Sequence, residues 1–117
     1  MDARGCKAAC LRSRALLEEL FAEIIDAAGL RPVAPATFHV FDGEAGVTGV
    51  QMLSESHLAC HTYPEAGYAA FSLYCCRREP VDWPWQVRLT EVLGAEGVTV
   101  RVVHRGPIAP LGATEVG

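Results

Sequence analysis

The chain has 117 residues, half of them apolar, with a formal net charge of −4 and no biased tract, a composition that fits one small globular domain. Its ten basic residues are scattered, which excludes the clustered positive surface of a nucleic-acid binder. No run approaches the roughly 18 apolar residues of a membrane span, and the opening MDARGCKAACLRSR has no signal-peptide core, so a cytoplasmic protein bound to neither nucleic acid nor membrane is expected.

In chain order, the first predicted element is a helix from Arg14 to Gly29. Leu16, Leu17, Leu20, Phe21, Ile24, Ile25 and Ala28 recur at helical spacing, with Glu18, Glu19, Glu23 and Asp26 on the other side. Gly29 or Pro32 ends it. Strands are predicted over Thr37 to Phe41, Val47 to Leu53, His57 to Tyr63 and Tyr68 to Cys76, rich in β-branched, aromatic and small apolar residues and separated by turn formers. The last of these, YAAFSLYCC, is nearly continuous in apolar residues, as a strand covered on both faces would be. The helix supplies one cover and a second subunit is expected to supply the other.

A second helix is predicted within VDWPWQVRLTEVLG, where Val81, Trp85, Leu89, Val92 and Leu93 share a face, Asp82 stands near the start and Gly94 near the end. Val98 to Val103 is read as a final strand, and the Pro- and Gly-rich tail from Gly106 onward as loose. This order gives an α/β fold, a two-layer α/β sandwich whose largely antiparallel sheet carries two helices on one face, in one domain over residues 1–117. A domain of this length buries only about two thirds of the surface its unfolded chain exposes, so a deep active site favours a dimer interface.

Five cysteines, Cys6, Cys10, Cys60, Cys75 and Cys76, form an odd set with one adjacent pair, which suits free thiols in a reducing compartment. Cys60, His61, Cys75 and Cys76 could be combined as a zinc set, but without a CxxC knuckle the metal reading is the weaker one and no metal is expected. His57 and His61 share the spacing of a helical zinc pair, yet in a strand four residues span about 13 Å, too far for one ion.

The informative stretch is GVTGVQMLSESHLACHTYPEAGYAAFSLYCC, residues 46–76, where serines, two histidines and three cysteines interrupt apolar strands. Its order of ESH, HTYPE, GYAA and then a cysteine twenty residues after Ser56 resembles the bacterial and archaeal S-adenosylmethionine decarboxylases, which are pyruvoyl enzymes. FHVF, GVTGV and the trailing helix and strand extend the resemblance over roughly residues 14–105.

The resemblance implies that the Ser56 hydroxyl attacks the Glu55 carbonyl, turning an amide into an ester that β-elimination breaks; a strained turn would favour this. The products would be residues 1–55 and residues 56–117, the latter starting with a pyruvoyl cofactor derived from Ser56. That group would condense with the substrate amine and take up the electrons released as carbon dioxide leaves. His61 matches the family histidine that assists processing as a proton acceptor, and Thr48 stands where a serine hydroxyl supports it. Cys76 falls where a thiol protonates the α-carbon after decarboxylation, a step that separates productive turnover from transamination of the pyruvoyl group. Phe41, Tyr63 and Glu65 match positions that hold substrate, and stacking with cation–π attraction suits a sulfonium nucleoside.

Each residue also has an ordinary structural reading: a hairpin serine for Ser56, a hydrogen-bonded strand histidine for His61, core packing for Phe41 and Tyr63, and small buried hydrophobes for the cysteines. The joint spacing favours chemistry at Ser56, His61 and Cys76, while Cys60 and Cys75 follow the ordinary reading.

The family opens with a strand carrying a GRH-like sequence, for which this chain offers only MDARGCKAACLRSR, so a first strand is expected to be missing. Tyr63 replaces a common tryptophan, Ser72 a frequent acid, and Arg77 the glycine that usually follows the cysteine. The expected function is S-adenosylmethionine decarboxylation for spermidine synthesis, by a homodimer or dimer of dimers in which protomers pair as αββα. The alternatives are a pyruvoyl-dependent arginine or ornithine decarboxylase, or an inactive relative that regulates a paralogue by mixed pairing.

Overall fold

The computed structural model describes residues 1–77, 79–106 and 113–116. It opens with a strand where the sequence predicts none. β1 (Asp2–Arg4) lies between two later strands, with Met1 and Ala3 fully buried, so the first strand is present. Three residues, two of them charged, are too short a run for alternation to register; their pairing comes from distant partners, Asp2 lying opposite Ala70 on one side and Thr99 on the other.

A single turn of helix, α1 (Ala8–Leu11), leads into α2 (Arg14–Ala27), which forms where the apolar spacing places it. Ser13 opens α2 by accepting the Leu16 N–H at 3.2 Å, satisfying one of the donors that a helix start leaves free. Gly29 closes it in the left-handed region (φ 64°), which lets the Leu30 N–H turn back to the Ile25 carbonyl at 3.0 Å.

Strands β2 (Thr37–Val40), β3 (Val47–Met52), β4 (Ser56–Tyr63) and β5 (Tyr68–Cys75) make the expected antiparallel meander, with a 3-10 turn at Pro64–Ala66 between the last two. Helix α3 (Trp85–Leu93) starts later than Asp82. The cause is Pro84, whose ring disfavours a helical Trp83 before it. Pro84 itself takes the cap position, and no side chain caps the helix.

The final strand is not one element but two. β6 (Gly97–Thr99) pairs with β1, and the chain then crosses to β7 (Val102–Arg105), which pairs with β8 (Ala113–Val116). β8 belongs to the tail expected to be loose; residues 107–112 and 117 of that tail lie outside the described residues. Thr114 and Val116 are buried there because the C-terminal half of β5 offers a free edge, Cys75 lying opposite Thr114 and Leu73 opposite Val116. Local alternation carries no information about such an edge.

Every pairing among the described residues is antiparallel, and the main path runs β2-β3-β4-β5-β1-β6. Side chains alternate across it. Val47, Leu58, Cys60, Phe71 and Leu73 point inward and join one core with Leu17, Leu20, Phe21 and Ile24 of α2 and Trp85, Leu89 and Leu93 of α3. Both long helices therefore cover the same face. The other face stays open, with Val50, Met52 and Tyr63 respectively 44%, 62% and 42% exposed.

The two long helices are also joined by an ion pair. Arg88 Nε and Nη2 donate to the two Glu23 carboxylate oxygens at 2.9 and 2.7 Å, and these hydrogen bonds hold the Glu23 carboxyl below its ordinary range. A carboxyl lowered in the folded state stabilises above its unfolded value and loses that contribution as pH falls through its folded value. Glu23→Gln should therefore lower Tm by roughly 2–4 °C at pH 7. Thermal melts along a pH series should show the gap closing below the usual glutamate range; a gap that persists at pH 2 would assign the loss to packing.

Candidate active site

The turn between β3 and β4 builds the first cluster. The Leu53 N–H bonds to the Ser56 carbonyl at 3.0 Å, and the Ser54 N–H bonds to the Arg31 carbonyl at 2.9 Å, tying the turn to the segment after α2. Ser56 starts β4 half-buried, directly opposite Cys75. Arg31, Glu55, Ser56, Cys75, Cys76 and Arg77 all line one cavity of about 260 Å³. Ser54, Glu55 and Ser56 have ordinary negative φ; among the described residues the only non-glycine residue in the left-handed region is Ala45 (φ 59°). The strain expected at the Glu55–Ser56 turn is thus not carried by a left-handed φ.

The second cluster forms at the other end of β4. Thr48 and His61 are cross-strand partners, with Thr48 Oγ1 3.0 Å from His61 Nδ1. Both line a cavity of about 440 Å³ with Phe41, Tyr63, Glu65 and the β2–β3 loop, a size that accepts a drug-sized ligand. Phe41 is 52% and Tyr63 42% exposed, so neither ring is a core residue. Phe41 meets His39 edge-on at 4.5 Å and Tyr63 stacks on Tyr68 at 5.7 Å. The loop adds Asp42 and Glu44, giving the cavity three carboxylates with Glu65 and no lysine or arginine among its described lining residues. Glu44 is held by Arg12, Nη2 to carboxylate at 3.3 Å and Nε to its carbonyl at 3.0 Å.

These clusters do not meet within one chain. Five steps along the strand place Ser56 about 16 Å from His61, and an odd step sends their side chains to opposite faces. Ser56 shares the helix side with Leu58, Cys60 and Thr62, whereas His61 shares the open side with His57, Ala59 and Tyr63. The fold thus brings Ser56 to Cys76, and Thr48 to His61, Phe41, Tyr63 and Glu65, but keeps the two groups apart.

The thiols differ by environment. Burial pushes Cys60 up to about 12 and raises Cys75, which keeps both neutral and inert; Cys76 is exposed just past the end of β5. Among the described residues no three His, Cys, Asp or Glu side chains gather as a metal site, and no helix is long and apolar enough to cross a membrane. Arg31, Asp42 and Glu44 were outside the sequence expectation. The carboxylates had a signal, the DGEAG run between two strands, but Arg31 reaches its cavity only through the turn after α2.

A family model for S-adenosylmethionine decarboxylase matches residues 1–106. The S-adenosylmethionine decarboxylase proenzyme of Acetivibrio thermocellus is 42% identical over 102 residues, covering 87% of this chain and 81% of the relative. That of Moorella thermoacetica is 37% identical over 112 residues, covering 96% and 88%. Among solved structures, the adenosylmethionine decarboxylase from Aquifex aeolicus superposes with a TM-score of 0.68 at 22% identity, over 92% of this chain and 87% of that one, which is a likeness of fold. With its sheet, its helices and nearly its whole length accounted for by these matches, the chain belongs to the S-adenosylmethionine decarboxylase family, enzymes of the carboxy-lyase class.

Proposed function

We propose that the chain cleaves itself between Glu55 and Ser56, carries the resulting pyruvoyl group at residue 56, and decarboxylates S-adenosylmethionine in the cytoplasm to supply spermidine synthesis. The observation that carries the reading is the single cavity holding Glu55, Ser56 and Cys76.

The Ser56 Oγ adds to the Glu55 carbonyl and the C–N bond gives way to an ester. Loss of the Ser56 Cα proton then expels the Glu55 carboxylate. The dehydroalanine left at residue 56 tautomerises, takes up water and releases ammonia. His61, oriented by Thr48, is the proton acceptor. A pyruvoyl group at residue 56 supplies an electrophilic ketone and a conjugated carbonyl that receives the electrons freed as carbon dioxide departs. The chain fits that group: the residue 56 carbonyl already accepts the Leu53 N–H at 3.0 Å, which polarises it in the required sense, and release from Glu55 leaves residue 56 at a chain end free to turn.

Since about 16 Å of strand separates Ser56 from His61 within one chain, the site needs two copies. A two-fold axis between two open sheet faces, running across the strands, reverses strand direction and lays one protomer's Ser56 end against His61 and Thr48 of the partner subunit. The same pairing covers Val50, Met52 and Tyr63 and gives the αββα arrangement. Phe41 and Tyr63 then flank the adenine, and Asp42 and Glu65 favour the sulfonium charge.

Intact mass after purification distinguishes a processed chain from an intact one. Borohydride trapping with S-adenosylmethionine, arginine and ornithine in turn identifies the substrate, the nucleoside being expected to trap at least tenfold faster. An unbroken chain overturns the processing, and preferential trapping of arginine or ornithine overturns the substrate.

A further inference from the structure

The cavity that holds Ser56 has three walls, and each is tied to the next. Residues 28–31 are joined to the 53–56 turn by the Ser54–Arg31 backbone bond, and the turn is joined to the end of β5 by the pairing of Ser56 with Cys75. The third tie closes the ring. Arg77 Nη2 donates to the Ala28 carbonyl at 2.7 Å, an acceptor at the C-terminal cap of α2 whose partial negative charge suits a guanidinium. From the other direction, Thr114 Oγ1 donates to the Arg77 carbonyl at 2.8 Å, and Thr114 is fully buried.

Among the described residues the Cys76 side chain makes no hydrogen bond, while its backbone N–H faces the Cys75 sulfur. Cys76 stands outside β5, exposed, between the strand end and Arg77. Its place in the cavity is therefore set by the residues on either side, Cys75 in the ladder and Arg77 held at side chain and backbone. A thiol that must give its proton to one carbon rather than another needs its sulfur fixed to about half an ångström.

We propose that Arg77 is a positioning residue, clamped between the α2 cap and Thr114, that aims the Cys76 thiol at the α-carbon of the substrate and so suppresses the misdirected reaction. The inference rests on the pyruvoyl reading above. In the productive course the Cys76 S–H bond breaks, its proton goes to the carbon that lost carbon dioxide, and the thiolate recovers a proton from water. In the misdirected course the proton goes to the carbon of residue 56. One water then releases the substrate as an aldehyde and leaves alanine at position 56, the ketone having been reduced to an amine as the substrate carbon was oxidised.

Two readouts test this, in Arg77→Met, Arg77→Lys and Thr114→Val made in the full chain. The first uses no pyruvoyl group: in a Ser56→Ala background, amide hydrogen exchange over residues 76–77 should quicken about tenfold or more when Arg77 is changed to Met, with β4 unchanged. The second is the mass of the 56–117 chain after turnover of S-adenosylmethionine. Alanine at residue 56 should accumulate at least tenfold faster per turnover in Arg77→Met, and less in Arg77→Lys, which keeps the charge but not the fork. Thr114→Val should move both readouts in the same direction and serves as the test should Arg77→Met fail to process. Equal exchange and an equal alanine yield per turnover in variants that process would overturn the clamp. A wild type that never cleaves overturns the pyruvoyl reading first, and the two failures are distinguished by wild-type mass alone.

Discussion

Replacing Ser56 by alanine should leave one chain of 12.6 kDa, where the wild type yields residues 1–55 and 56–117, and should reduce decarboxylation to the uncatalysed background, a loss of about 10⁶-fold or more. One oxygen serves twice. It is the atom that attacks Glu55, and the residue that bears it is the only one proposed to carry the ketone. Partial function is not expected, because no neighbouring side chain can supply either role. Ser54 also carries a hydroxyl and lines the same cavity, which makes Ser54→Ala the matched control. That variant should still divide at the same bond. Mass spectrometry of both variants decides: cleavage of Ser56→Ala, or an intact Ser54→Ala beside a divided wild type, would move the nucleophile.

How much of this was legible in the sequence depends on the range of the forces involved. α2 and the β2–β5 meander were readable because their signals are local: apolar spacing over fourteen residues, a glycine after, and alternation broken by turn formers. The registers that matter, Thr48 opposite His61 and Ser56 opposite Cys75, follow from short turns between neighbouring strands. β1 and β8 were not readable. Each is three or four residues long and is held by an edge of β5 made by a distant part of the chain. The division of Val98–Val103 has the same origin, since VTVRVV alternates smoothly while its two halves choose different partners.

The site divides along the same line. The family resemblance pointed to Ser56, His61, Cys76, Thr48, Phe41, Tyr63 and Glu65, and all of them line two cavities. What spacing did not announce is that parity separates Ser56 from His61. Five residues looks close in a sequence and is far in a strand. Nor did it show Arg77 as a clamp, because both of its partners, Ala28 and Thr114, come from other parts of the chain.

His61→Ala expressed alone should process some 10²–10⁴-fold more slowly, the usual cost of losing a positioned proton acceptor. Ser56→Ala alone should not process at all. Co-expressed, the two inactive chains should restore cleavage. In a mixed pair one site joins Ser56 of the His61→Ala chain to His61 of the Ser56→Ala chain and is complete; the other site lacks both groups. Cleavage should therefore appear only in the His61→Ala chain, at up to half of the sites in mixed pairs, and a mass tag on either chain identifies which one was cut. A site contained within one protomer gives the opposite result, because neither chain could then mend the other. The two readings differ by orders of magnitude in the yield of residues 56–117, and what divides them is the step of five positions from Ser56 to His61, about 16 Å along a strand whose side chains alternate.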